Sequence, residues 1–213
     1  MLSRLARPTH VSLRAFAVAG SPRALSRAPR AFKPRSHERT ALAAAAGSLM
    51  STKRMAPTKI GTHDGSFHCD EALGCYLLKL TKAYEDAEIV RSRDPDVLGA
   101  CDVVIDVGAT YEPEKNRFDH HQRGFEEIFG HGFSTKLSSA GLVYKHFGRE
   151  IVASVLALPE TDPSVEKIYL KTYKTFVEAV DAVDNGVNMF DTDAPAKYEN
   201  NTGLSARVGK LNP

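Results

Sequence analysis

Asp102-Val103-Val104-Ile105-Asp106-Val107-Gly108 is the stretch whose reading decides the fold. Val103, Val104 and Ile105 are apolar at successive positions, so an extended segment here buries both of its faces. That pattern belongs to a strand inside a sheet covered on both sides. The spacing predicts a strand over 102–107 that carries an acid near its end. Upstream, Thr58 to Thr62 reads as a short strand after Pro57, and Ala87 to Arg91 as another. Between them, residues 70–82 read as helix, because Ala72, Leu73, Tyr76, Leu77 and Leu80 recur at helical spacing. Asp70 and Glu71 fall in its first turn, where acids suit the helix dipole. Asp94-Pro95-Asp96 starts a short helical turn, Tyr111 to Asn116 a polar turn, and Arg117 to Asp119 a brief strand.

Residues 122–137, with Gly124, Gly130 and Gly132, read as loop. Ser138 to about Leu158 reads as helix, with Gly148 as a point of interruption. Pro163 suits the first position of a long helical run to Asp184, closed by Asn185-Gly186. Residues 191–213 are polar with little periodicity, and no internal repeat is present. Strands alternating with helices predict an α/β fold, a mostly parallel sheet with flanking helices.

Charge divides the chain. Residues 1–57 carry 11 Lys and Arg against one acid, Glu38, while residues 58–213 carry 17 against 25 acids. The overall +2 therefore combines +10 with −8. A leading segment rich in Arg, Ala and Ser and poor in acids has the composition of an organelle transit peptide. Arg4, Arg7 and Arg14 can share one helical face, with Leu2, Leu5, Leu13 and Phe16 as apolar contacts. A mitochondrial destination is expected, with a chloroplast destination or a disordered basic arm as rivals. Initiation at Met50 or Met55 would give a form without this segment, for the nucleus or cytosol. No apolar run approaches the ~18 residues of a membrane span, so no membrane partner is expected. Cys69, Cys75 and Cys101 show no paired spacing, which argues for a reducing compartment. Residues 58–213 suffice for one domain with its own core.

Three dense groups carry the chemistry: His63-Asp64-Gly65-Ser66-Phe67-His68-Cys69-Asp70-Glu71, Asp106, and Phe118-Asp119-His120-His121. His63, Asp106 and the Asp-His-His run each follow or end a predicted strand. Parallel sheets form their sites outside the carboxyl ends of strands, so these distant groups converge on one rim. Imidazole and carboxylate together suit Mn²⁺, Mg²⁺, Zn²⁺ or Co²⁺. A pair of ions ~3.5–4 Å apart needs a bridging carboxylate. Asp106, on a buried strand end, is its natural source. Ser138 and Ser139 precede an apolar helical run; they read either as a helix cap or, with Lys136 and Arg123, as a site for a substrate phosphate. Asp64 reads as a turn residue and Cys69 as a small packed hydrophobe, while His131 and His146 stand alone. Neither a P-loop nor a dinucleotide fingerprint is present, the pieces of a zinc deaminase are missing, and no RNA-binding motif occurs.

The Asp-His-His run and its companions resemble the DHH phosphoesterase superfamily. Gly61 to Ala72, Thr135 to Leu142 and Val180 to Gly186 are similar, in order, to the Myg exonuclease family (melanocyte-proliferating-gene product). The resemblance covers residue 58 to the end. It implies a DHH-like amino-terminal domain and a divalent cofactor, two ions with Mn²⁺ or Mg²⁺ favoured. It assigns metal binding to His63, His68, Asp70, Asp106 and His120, with His68 standing where many members have an aspartate. His121 becomes the histidine facing the substrate phosphate, and Asp119 a residue that holds the loop or orients a histidine. The last ligand is expected from the long helix, Asp184 in preference to Asp181. RNA is the implied substrate, shortened from its 3′ end to mononucleotides. The opening motif has one residue more than many members between its first two ligand positions. Myg-like chains continue well past residue 213, so the second domain, which helps bind substrate, is expected to be absent. A pyrophosphatase, a small phosphodiester hydrolase and a non-catalytic metal-binding fragment are the alternatives.

Overall fold

The computed structural model describes residues 57–213; the targeting segment expected over residues 1–57 lies essentially outside them. A five-stranded sheet runs in the order β2-β1-β3-β5-β4. Its strands are β1 (Lys59–Thr62), β2 (Glu88–Arg91), β3 (Val103–Ile105), β4 (Tyr111–Glu112) and β5 (Arg117–Phe118). Four are parallel, and β4 pairs antiparallel with β5 at the edge. The expected α/β fold with a mostly parallel sheet is therefore the observed one.

β3 sits at the centre because every residue in it is apolar and buried. Val103 and Ile105 enter the main core with Ile60, Leu78, Phe118 and Leu142. Val104 points the other way, into a small core with Leu98, Cys101 and Val107. Each such buried side chain contributes roughly 1.5–3 kcal/mol. Helices α1 (Cys69–Lys79) and α3 (Ser139–Leu156) cover the main-core face. Close packing of α1 depends on Gly74, where a Cβ would lie 2.9 Å from Ile105 Cδ1. Short α2 (Pro95–Gly99) covers the other face, capped by Asp94, whose side chain accepts from the Asp96 amide.

Five expectations need correction. The strand expected over 102–107 stops at Ile105, because Asp106 turns left-handed at φ 56°. The loop expected over 122–137 contains a hairpin, β6 (Ile128–Gly130) and β7 (Phe133–Lys136), closed by His131 and Gly132, both at positive φ. Helix α3 runs unbroken through Gly148. The run from Pro163 to Asp184 is continuous but changes pitch: α4 (Pro163–Thr172), a π-helical segment (Tyr173–Val177), then α5 (Glu178–Asp184). Finally, the aperiodic tail contains α6 (Leu204–Gly209). Cys69, Cys75 and Cys101 are buried free thiols. Among the described residues, no helix is long and apolar enough to cross a membrane.

Candidate metal centre

Three parallel strands end side by side and deliver the sequence groups to one rim. His63 follows β1, Asp106 follows β3, and Asp119-His120-His121 follow β5. Asp70 comes from the first turn of α1, and Asp184 from the last residue of α5. His63, Asp70, Asp106, Asp119 and His120 are buried.

Asp106 is at the centre. Its Oδ2 lies 3.3 Å from His63 Nε2. Its Oδ1 lies 3.4 Å from both His120 Nε2 and His121 Nδ1. His120 Nε2 is also 3.2 Å from Asp184 Oδ2 and 3.7 Å from Asp70 Oδ2. Three groupings of ligand atoms result: His63, His68 and Asp106; Asp106, His120 and His121; Asp70, His120 and Asp184. Asp106 belongs to two of them, with one oxygen turned toward each side.

Whether these residues suit a cation is decided by their unused atoms. His63 Nε2, Asp106 Oδ2 and both oxygens of Asp70 are buried without a hydrogen-bond partner. The 3.3 Å separation of His63 from Asp106 lacks hydrogen-bond geometry, as for two donors aimed at a shared point. Leaving one such group unpaired costs about 1–3 kcal/mol, more if it is charged. A divalent ion beside each of them would compensate such atoms, so the donor set fits a metal. His63 Nδ1 lies 2.9 Å from the Asp64 carbonyl, which can only accept. Nδ1 therefore carries the proton and Nε2 presents its lone pair to the cluster.

Electrostatics agree. Burial, and then the charges of Asp106 and Asp184, push the Asp70 carboxyl up to about 9. Burial also raises Asp106, but the bonds and charges of His120, His121 and His63 together outweigh it and leave it below its ordinary value. Burial lowers His120, yet Asp106, Asp184 and Asp119 reverse this and hold it above its ordinary value.

Asp119 keeps the expected supporting position. Its Oδ1 accepts from the amides of His120 and His121 at 2.7 and 3.1 Å and lies 2.7 Å from His121 Nδ1. Its Oδ2 accepts from the Ala109 amide at 2.5 Å. His121, half exposed, is left with Nε2 as its outward atom. His68 is exposed, its ring centroid 5.0 Å from that of His63.

Other expectations are displaced. Asp181 is not at the cluster: its Oδ1 accepts from the Ser138 amide and hydroxyl, and its Oδ2 from the Tyr173 hydroxyl. Of the two helix acids, Asp184 is the one beside His120. Ser138 occupies the N-cap position of α3 but spends its hydroxyl on Asp181. Ser139 donates to Asp106 Oδ1 at 3.1 Å. Both serines are fully buried, so neither faces a phosphate. Arg123 is exposed, and the Lys136 ammonium lies 6.0 Å from the Phe125 ring centroid. Neither lines the cavity of about 390 Å³ over the cluster, whose cation is Arg93. Glu71 is more than a dipole acid. It is fully buried and accepts from Arg91 Nη2 at 2.7 Å, while Arg91 Nη1 donates to the His63 carbonyl at 3.0 Å. The same guanidinium covers the Phe67 ring at 4.4 Å, clamping the loop that carries His63 and His68. Sequence spacing gave no signal for Arg91 or Arg93, which reach the site from the end of β2.

The family model MYG1_exonuc, described as "Uncharacterised protein family (UPF0160)", matches residues 59–213. The chain belongs to this family. It is 53% identical over 167 residues to MYG1 exonuclease of Homo sapiens, covering 76% of this chain and 44% of that relative. To MYG1 exonuclease of Mus musculus it is 55% identical over 164 residues, covering 75% of this chain and 43% of that relative. To the MYG1 protein of Dictyostelium discoideum it is 49% identical over 158 residues, covering 74% and 47%. The chain thus spans less than half the length of these curated relatives. No solved structure matches. All the cluster residues lie within the MYG1-family stretch.

Proposed function

We propose that this chain carries the hydrolytic centre of a metal-dependent 3′–5′ exoribonuclease of the DHH phosphoesterase type, releasing mononucleotides. One observation carries the reading: imidazoles and carboxylates brought from four distant segments converge around Asp106 and His120, and those of His63, Asp70 and Asp106 hold buried atoms without partners. The relatives of Homo sapiens and Mus musculus are named exonucleases, which supports a nucleic-acid substrate. RNA and the 3′ polarity rest on the resemblance of the motifs.

His63, His68, Asp70, Asp106, His120 and Asp184 would hold two divalent ions, Mn²⁺ or Mg²⁺. Such a pair supplies an activated water and charge compensation for the phosphoryl oxygens. Asp119 holds His121 by Nδ1, so His121 Nε2 is the free ring atom, a proton acceptor when the ring is neutral and, once the ring is protonated, a donor to the phosphate or leaving oxygen. Ser139 fixes the orientation of Asp106, and Arg93 adds positive charge at the cavity. The acidic balance of residues 58–213 favours a second reading, a pyrophosphatase or small phosphodiester hydrolase, since no broad cationic surface is encoded for a long polyanion. A metal-binding module without turnover is the third.

The test is cleavage of end-labelled single-stranded RNA by the chain with Mn²⁺, beside His121→Ala and with pyrophosphate and a dinucleotide as rival substrates. The expected result is stepwise shortening from the 3′ end, slowed roughly 10²–10⁴-fold in the variant. Turnover of the small substrates alone would select the second reading, and no turnover the third. Equal rates for parent and variant would remove His121 from the chemistry. We also propose mitochondrial delivery by residues 1–57, with shorter nuclear or cytosolic forms starting at Met50 or Met55. A fluorescent protein fused behind residues 1–57 that stays outside mitochondria would reject this.

A further inference from the structure

A second cavity, of about 350 Å³, opens beside the one over the metal cluster. The two share Arg93, Val107 and Gly108 as lining residues, so they adjoin. Their chemistry differs. The first is lined by imidazoles and carboxylates. The second has an apolar floor of Leu98, Val104 and Val107 and a rim bearing Arg93, Arg117 and the ion pair of Lys115 with Glu112. It lies on the α2 face of the sheet, where that short helix leaves the small core thinly covered.

Arg117 gives this cavity a particular surface. Its Nη1 donates to the carbonyls of Lys115 and Asn116 at 3.1 and 3.3 Å, and its Nη2 to the Cys101 carbonyl at 3.3 Å. Three carbonyls hold the guanidinium in place by its edges, which leaves its flat faces for stacking. Nucleobases stack on guanidinium planes as they do on aromatic rings. A phosphate at the metal cluster, a cation at the junction, then an apolar floor with a fixed cationic plane is the order of groups that a nucleotide presents.

We propose that this second cavity receives the nucleoside of the released mononucleotide, its phosphate lying at the metal cluster and Arg93 at the junction. The proposal rests on the phosphodiesterase reading above and names the substrate subsite for it. It gives the second cavity a base-binding role that a pyrophosphatase would have no use for.

Methyl NMR of the Leu- and Val-labelled chain with Mg²⁺ tests it, titrating adenosine 5′-monophosphate and, separately, ribose 5-phosphate. The expected result is that the nucleotide shifts the methyls of Leu98 and Val104 and binds about tenfold tighter than ribose 5-phosphate, which leaves those methyls in place. Arg117→Met is expected to erase most of that tenfold advantage. Nucleotide binding that shifts neither Leu98 nor Val104 would overturn the subsite while sparing the hydrolase reading. Equal affinity for the two ligands would overturn it as well. Absence of nucleotide binding together with uncleaved RNA would overturn both.

Discussion

Asp106 meets two separate demands at one position. Its carboxylate faces three imidazoles, and its backbone sits at φ 56°, a conformation that Asp and Asn tolerate far better than branched residues. The demand for an acid was legible in the sequence as a carboxylate after a buried apolar run. The left-handed turn was not, because the apolar residue after it, Val107, prolongs the strand pattern. Asp181 and Asp184 show a different limit. Three residues apart on one helix, they share a face, so spacing could favour but not separate them. What separates them is tertiary: Ser138 and Tyr173 occupy the oxygens of Asp181, while Asp184 reaches His120. Burial pushes the Asp181 carboxyl up to about 6, even though Ser138, Tyr173 and Gly141 donate to it and pull the other way. A carboxyl raised in the folded state stabilises fully below its unfolded value, and that contribution disappears as pH rises through about 6. Asp181→Asn removes the titration. The variant is therefore expected to gain on the parent between about pH 4 and pH 7, by up to ~3 kcal/mol. Urea unfolding of both proteins at several pH values measures the gap, and a gap independent of pH would contradict the assignment.

Among the elements, the sheet and its covering helices follow directly from periodicity, whereas the β6–β7 hairpin was hidden by its brevity. Its strands are three and four residues long, and glycines in the segment read as loop. Its two-residue turn uses His131-Gly132 in place of the Asn-Gly or Asp-Gly that usually marks such a turn. The hairpin nevertheless matters to the core, since Phe129 stacks flat on Tyr173 at 3.6 Å between ring centroids. Tyr173 opens the π-helical segment, and the altered pitch there sets how α5 presents Asp181 and Asp184. Gly148 was read as a break in α3, but it serves contact between helices. A Cβ there would lie 2.7 Å from Tyr169 Cε2 and 3.0 Å from Tyr144 Cε2. Gly148→Ala would gain about 1 kcal/mol of helix propensity and lose about 1–3 kcal/mol to overpacking. A net loss of stability is expected, visible as a lower Tm, and a higher Tm would show that α4 yields without strain.

For the molecule as a whole, a native-state ligand site predicts linkage. Mn²⁺ at 100 times its Kd should stabilise the fold by about 2.7 kcal/mol, and chelation should reverse it. Calorimetry with and without EDTA measures this, and an unchanged Tm would rule out an ion held by the native state. The donors come from residues 63–70, 106, 119–121 and 184, so the site spans most of the described chain. Contacts between such distant segments form slowly, after local helices and turns. No partial assembly of these segments brings the full set of donors together. Ion capture should accordingly be a late event in folding, reporting that both β3 and the C-terminal turn of α5 have reached their places. A chain arrested earlier would still show helix by circular dichroism while remaining blind to the ion, which makes metal uptake a clock for the last step of folding.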